Sequence, residues 1–256
     1  MCLGDKHVAI KKFQRFELKF VLNNQQFESF VKDIEPYVKP DKYCVGGARY
    51  PINTIYFDTP GRSVIRHSLS KPGFKEKFRL RSYYSSPKED DTVFLEIKKK
   101  IKGCVSKRRA ACSFAEAKRF LKTKELEPSS DYMHNQVLKE IIRYLEVYDV
   151  SPAAYISYDR LAFFAKDDKE LRLTFDNNIL ARDYDVELGH GQYGTCLLDE
   201  DKHLLEIKIH YAMPIWLAGL LSKNKIYKSS FSKYGNFHMY QVKNGADLTA
   251  ERVLPC

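Results

Sequence analysis

The chain has 256 residues, enough for one large domain or two small ones, and 44% of them are hydrophobic, with 16 Phe and 17 Tyr, so a sizeable core can form. Lys and Arg outnumber Asp and Glu by 43 to 33, and the net charge of +10 points to an anionic partner: nucleic acid, a phosphorylated small molecule, a polyanion or an anionic membrane. The six cysteines form no CxxC pair and no zinc spacing, the N-terminus has no signal-peptide core, and the longest apolar run, 212–221, is too short for a bilayer and contains Pro214, so a soluble, reduced, cytoplasmic protein without a transmembrane segment is expected.

In chain order, residues 1–12 are expected to form an N-terminal arm. RFELKF (15–20) alternates Arg15, Glu17 and Lys19 with Phe16, Leu18 and Phe20, and period-two alternation is a strand signal because successive side chains point to opposite faces. A helix follows, with Phe27, Phe30, Val31 and Ile34 at helical spacing, Asn23 or Asn24 as its cap and Pro36 as its end. After a loop with two glycines, INTIYFDT (52–59) is a strand, and Pro60 opens a short helix that buries Val64, Ile65 and Leu69. KFRLR (77–81) and FLEIKKK (94–100) form an antiparallel hairpin around the turn-rich SSPKEDD. Lys77, Arg79 and Arg81 share one side of the first strand, and Glu96, Lys98 and Lys100 one side of the second.

Beyond a turn at Gly103, CVSKRRAACSF returns as a strand in which Lys107 and Arg109 oppose Arg108, and Ser113 with Glu116 has capping-box spacing for FAEAKRFLK. A helix over 134–148 turns Val137, Ile141, Ile142 and Leu145 inward. Strands are predicted at 153–164, 170–176 and 179–184; Tyr158 and Arg160 share a face, as do Arg172, Thr174 and Asp176. LLEIKIH (204–210), a near copy of FLEIKKK, sets Glu206, Lys208 and His210 on one side. A helix begins near Pro214, and the basic segment SKNKIYKSSFSKYGNF leads into a C-terminal tail, 241–256.

With about nine strands, five helices, no linker and no glycine-rich phosphate loop, the expectation is a single α+β domain over 13–240: a closed antiparallel β-barrel with flanking helices. In an open sheet each charged row simply faces water; in a closed barrel the apolar rows face the helices and the charged rows face inward. A cationic lining costs several kcal/mol per unpaired ion, so it must stay wet or be neutralised by a polyanion. A duplex does not fit inside a small barrel, whereas a linear chain of phosphates does. A nucleic-acid binder therefore ranks last, because Lys107, Arg108 and Arg109 alternate within a strand instead of lying on a base-reading helix. The carboxylates on the cationic faces, Glu17, Glu96, Glu206 and Asp176, either bridge internally to Arg and Lys or, for one or two of them, hold Mg2+ or Mn2+ alongside phosphate oxygens.

RFELK, TIYFDT, KFRLR, FLEIKKK, YDR, LRLTFD, LLEIK and FSKY, in this order, resemble the VTC domain, the catalytic domain of the vacuolar transporter chaperone complex, which makes polyphosphate from ATP. That domain belongs to the triphosphate tunnel metalloenzyme superfamily, with CYTH-type triphosphatases as cousins. The resemblance implies a tunnel barrel. It implies phosphate binding by Lys19, Arg79, Arg81, Lys98, Arg160, Arg172 and Lys233, assisted by Tyr158 and Ser232; the strand alternation itself adds Lys77, Lys100, Lys107, Arg109 and Lys208 to the expected substrate-binding lining. It places a divalent metal on Glu206, with Glu96 the next candidate. ATP, inorganic polyphosphate, triphosphate and pyrophosphate are the implied ligands. Hydrolysis of inorganic or nucleoside triphosphate, or polyphosphate binding without turnover, are the alternatives. Two departures stand out. Arg15 occupies the place of the first Glu in the cousins' ExExK, which favours the VTC branch; Ser230 occupies the place of a family Lys, with Lys228 nearby as a substitute. The fungal proteins also carry an SPX module and membrane helices, and this stretch shows neither.

Overall fold

The computed structural model describes residues 16–102, 104–125 and 130–245, so the expected N-terminal arm, Gly103 and most of the tail lie outside the described residues. The alternating RFELKF segment forms β1, Phe16–Asn23, and Asn23 starts α1, Asn24–Ile34, through a reciprocal capping box with Gln26. After the short β2, Val38–Pro40, come β3, Tyr50–Asp58, and α2, Ser63–Leu69. Here α2 starts three residues beyond Pro60. Arg62 takes a left-handed conformation, and the Asp58 carboxylate accepts the first free amides of the helix, from Val64 and Ile65. Leu69 is exposed and Ser68 is buried in its place.

The hairpin forms as expected from β4, Phe74–Ser82, and β5, Thr92–Ile101, and continues into β6, Cys104–Ser113. Ser113 and Glu116 close the second capping box, at the start of α3, Phe114–Thr123. Then follow α4, Tyr132–Val147, and β7, Ser151–Ala165. The segments expected as two strands at 170–176 and 179–184 are one strand, β8, Arg172–Arg182, which stays paired to β7 through a bulge in β8, where Asn178, at positive φ, and Ile179 lie opposite the single β7 residue Tyr158. The remaining elements are β9, Thr195–Cys196, β10, Lys202–Ile209, α5, Ile215–Lys223, β11, Lys228–Ser229, and α6, Lys233–Lys243, a helix where the sequence suggested only a basic lead into a tail.

All pairings are antiparallel, and the sheet runs β11-β1-β10-β8-β7-β3-β4-β5-β6, with β2 added to β7 and β9 to β8. The barrel expected to be closed is therefore open: no pairing joins the end strands β11 and β6 among the described residues. Both edges explain this. β11 is two residues long, and β6 carries Lys107, Arg108 and Arg109, the kind of charged edge that resists further pairing. The sheet nevertheless curls strongly. Glu17 on β1 comes within 4.0 Å of Lys98 on β5, although β10, β8, β7, β3 and β4 separate them along the sheet.

The convex face is apolar and covered by helices. Phe20, Leu22, Leu205, Ile207, Leu173 and Phe175 pack beneath α1 and α5. Phe78, Leu80, Leu95 and Ile97 pack beneath α3 and α4 with Phe114, Phe120, Ile141 and Tyr144. Burial at these positions is worth about 1.5–3 kcal/mol per large side chain, which fixes the register, since a one-residue slip would turn every such residue inward. Part of the concave side is apolar as well: α6 lies there, with Phe231, Tyr234 and Phe237 against Ile52, Ile156, Ile179 and Leu204. The rest of the concave side is charged.

Candidate anion-binding site

Parity delivers the charged side chains. In β4, Lys75, Lys77, Arg79 and Arg81 point away from buried Phe78 and Leu80; in β5, Glu96, Lys98 and Lys100 point away from Leu95 and Ile97. The outward residues confirm the separation: Lys99 and Arg108 reach back to Glu140 of α4, at 2.5 and 3.2 Å. The antiparallel register then lines the concave cations up in transverse rows. Lys77 lies opposite Lys98, and Lys98 opposite Lys107; Lys75 lies opposite Lys100; Arg79, Glu96 and Arg109 form the next row.

Two carboxylate centres anchor this surface. The first is Glu96, almost fully buried. It accepts Arg79 Nε at 2.7 Å, pairs with Lys107 Nζ at 2.5 Å, and has Arg81 Nε at 3.9 Å. Burial alone would raise its pKa; the charges of Arg79, Arg81 and Lys107 overcome that and hold it at about 2. Arg81 also donates to Thr54 Oγ1 and to the Tyr158 hydroxyl.

The second centre combines Asp176 and Glu206. Arg160 grips Asp176 with a two-pronged contact through Nε and Nη2, 2.6 and 2.7 Å, and the same Nη2 lies 3.6 Å from Glu206. Lys233, at the first position of α6, inserts its ammonium 2.6 Å from Asp176 and 3.4 Å from Glu206, over the face of Tyr158. Ser232 caps that helix by accepting the Gly235 amide. Lys19 lies 3.1 Å from Glu206 and 3.4 Å from Glu17, and donates to the Phe231 carbonyl. Against the burial that opposes it, this ring of cations keeps Glu206 well below the usual carboxylate range. Burial likewise depresses the neighbouring Lys208, which Glu206 and Glu17 only partly offset.

Not every expected residue joins a centre. Arg172 sits to one side, bonded to Asp41 and the Tyr50 hydroxyl. Arg109 is exposed over the ring of Phe94, and Lys100 is exposed. Lys77 makes no ion pair or hydrogen bond among the described residues, and burial lowers its pKa to about 8. Lys228 does not substitute for the family lysine: it pairs with Phe20, whose side chain is on the convex face, while Ser229 pairs with Lys19.

Sequence reasoning missed Tyr56 and Asp58. The Tyr56 hydroxyl lies 3.4 Å from Arg79; burial opposes its ionisation, but Arg79, Arg81 and Lys233 bring the phenol down to about 8. The signal was available, since Tyr56 shares its strand face with Thr54, and Asp58 lies in the turn-forming DTPG stretch that leads into a helix. Also missed was Arg182, fully buried between Tyr155 and Tyr193, whose guanidinium holds four backbone carbonyls of the 185–193 loop.

Two of the carboxylates come close enough together to share a cation. Glu17 and Glu206 lie on adjacent strands and share one ammonium, that of Lys19, so a positive centre is already held between oxygen donors. Among the described residues no three His, Cys, Asp or Glu side chains converge, so an ion here would need oxygens from a ligand as well, as Mg2+ and Mn2+ commonly do. No helix among the described residues is long and apolar enough to cross a membrane.

Comparison with known proteins gives one family match: the model of the VTC domain aligns with residues 14–239. No curated protein matches the sequence significantly. Among solved structures, one provisionally named an adenylate cyclase, from Bacillus halodurans, is similar at a TM-score of 0.49, with 14% identity, covering 86% of this chain and 95% of that one.

Proposed function

The chain belongs to the VTC domain family, and from that premise we propose that it is a phosphotransferase of the polyphosphate-polymerase type, moving the γ-phosphoryl of ATP onto a polyphosphate chain along its cationic concave face. The observation that carries the reading is the row Lys77, Lys98 and Lys107. Three ammonium groups lie in register across adjacent strands; Glu96 offsets Lys107 and Glu17 comes no nearer than 4.0 Å to Lys98, while Lys77 has no ion pair among the described residues, so the row keeps cationic capacity for an anion laid across it. The row joins the Glu96 centre at Lys107, and Lys98 and Lys77 add cations beyond that centre.

In this reading Arg79, Arg81, Arg160 and Lys233 are held by carboxylates in fixed poses and grip the transferring phosphoryl group and its neighbours. Arg offers a planar fork to phosphate oxygens, and a pre-placed guanidinium need not be reorganised as charge develops. Lys77, Lys98, Lys100 and Lys107 carry the chain. Glu206, with Glu17, would hold Mn2+ or Mg2+, and such an ion, when bound, offsets charge on the phosphoryl oxygens. Glu96 is assigned to holding Arg79, Arg81 and Lys107. Phosphoryl transfer asks little covalent chemistry of a protein, so positioned charge is sufficient machinery.

Ser230 favours a second reading, in which water replaces the growing chain as acceptor and the protein is a triphosphatase: the position is exposed and carries no cation to draw a chain end in. Incubation with ATP and Mn2+ followed by product separation decides between them. ADP with polyphosphate supports the polymerase; ADP with free phosphate supports the hydrolase; absence of either product overturns both.

A further inference from the structure

Asp58 has no role in the site as described, yet it is fully buried and makes four hydrogen bonds. Three come from the amides of Thr59, Val64 and Ile65, where β3 passes into α2. The fourth comes from the hydroxyl of Tyr234, at 2.8 Å. Tyr234 immediately follows Lys233 in the first turn of α6. That turn is seated closely on α2: a Cβ added to Gly235 would meet Leu69 Cδ2 and Ser232 Oγ at 3.0 Å. The Tyr234 ring stacks on Tyr56 with centroids 4.9 Å apart, and the Tyr56 hydroxyl meets Arg79. One side chain thus touches the supports of both carboxylate centres. Through the backbone it sets Lys233, which pairs with Asp176 and Glu206; through Tyr56 it sets Arg79, which pairs with Glu96.

We propose that Tyr234 is a positioning residue of the anion site, tied to Asp58 so that Lys233 on α6 and Arg79 on β4 are held at a fixed separation for one bound phosphate chain. The inference rests on the function proposed above and adds the element that sets the spacing of its two cationic centres. A purely structural role fits less well. Without the Tyr234 hydroxyl, Asp58 keeps its three amide donors, so α2 stays capped and no buried charge is stranded.

The test is a double-mutant cycle on the full chain: wild type, Tyr234→Phe, Lys233→Met and the double variant, with inorganic tripolyphosphate as ligand in calorimetric titrations and thermal unfolding recorded for each. Tyr234→Phe is expected to weaken tripolyphosphate about fivefold, the scale of one net hydrogen bond, with little change in melting temperature. In the Lys233→Met background the same substitution should cost clearly less, only the part that runs through Tyr56 to Arg79, because residues acting through one another are not additive. An equal loss in both backgrounds, or no loss in either, overturns the proposal.

A second readout needs no ligand. Tyr56 faces Arg79, Arg81, Lys233 and Lys77, and its ionisation is followed by phenolate absorbance, as the difference between each protein and its Tyr56→Phe counterpart. Tyr234→Phe should raise that midpoint as Lys233 and Arg79 relax away; an unmoved midpoint is the overturning result. If wild type fails to bind tripolyphosphate, the proposed function falls, and the absorbance titration still decides whether Tyr234 sets these cations.

Discussion

Lys98 and Lys99 are neighbours of identical chemistry on opposite faces of β5, and their alanine variants should fail in opposite ways. Lys98 is partly exposed; its nearest carboxylate is Glu17 at 4.0 Å, and its strand neighbours are Lys77 and Lys107. Lys98→Ala removes one side of a like-charge contact, so the fold should lose nothing measurable and could gain a few tenths of a kcal/mol. It also removes one charged donor to a phosphate, worth about 1.5–3 kcal/mol, or a tenfold to hundredfold loss of affinity. Lys99 pairs with Glu140 at 2.5 Å and with Glu76 at 3.7 Å. Glu76 is buried and has an oxygen without a hydrogen-bond partner, so Lys99→Ala leaves that charge with less compensation, at about 1–3 kcal/mol. At roughly 2–4 °C per kcal/mol, the melting temperature should fall by about 2–12 °C while polyphosphate affinity holds. Calorimetric titration with polyphosphate and differential scanning calorimetry on the same preparations give both numbers. Equal losses of affinity in the two variants would show that general surface charge, and not the concave face, binds the anion.

Three further outcomes are expected. Arg160→Ala should cut turnover about tenfold to hundredfold, with Lys restoring only part because a point charge lacks the fork, while Arg108→Ala, bonded outward to Glu140, should stay near wild type in steady-state assays. Glu206→Gln should lose divalent-dependent turnover and keep much of its anion binding, shown by metal titration of activity beside calorimetry; unchanged metal dependence would move the ion elsewhere. Anion affinity at constant ionic strength should fall as pH rises through about 8, since Lys77, lowered to about 8 by burial, loses its positive charge there and Tyr56, at about 8, gains a negative one. A dissociation constant that stays flat from pH 7 to pH 9 would contradict that placement.

How legible the molecule was depended on whether a local rule governed each residue. The faces of FLEIKKK and KFRLR follow from the strand period, and that alone separates Lys98 from Lys99 and Arg109 from Arg108. Asn23 with Gln26 and Ser113 with Glu116 announced their helices because capping is short-range chemistry. α6 escaped because it has no apolar stripe: Lys233, Tyr234, Gly235, Phe237, His238 and Gln241 are all buried, set by packing on the concave side that periodicity does not encode. β8 was split in two because its alternation breaks at Asn177 and Asn178, and only its partner β7 shows that the strand continues. Closure of the sheet was beyond local rules altogether, since it depends on whether two distant edges can pair. The roles of Asp58 and Tyr234 emerge only when residues 176 positions apart come together.

The row Lys77, Lys98 and Lys107 also bears on how much folded protein exists. Unoccupied, Lys77 and Lys98 face each other with only Glu17, 4.0 Å from Lys98, to offset them, and the native state alone bears that repulsion, because the unfolded chain lets the ammonium groups drift into water. Whatever anion bridges them stabilises only the native state, by about 2.7 kcal/mol when present at a hundred times its dissociation constant. Under the function proposed above, the melting temperature would become a gauge of phosphate-polymer supply. In a cell short of such polymers, the folded population, and with it the protein's resistance to proteolysis, would decline before any change in synthesis.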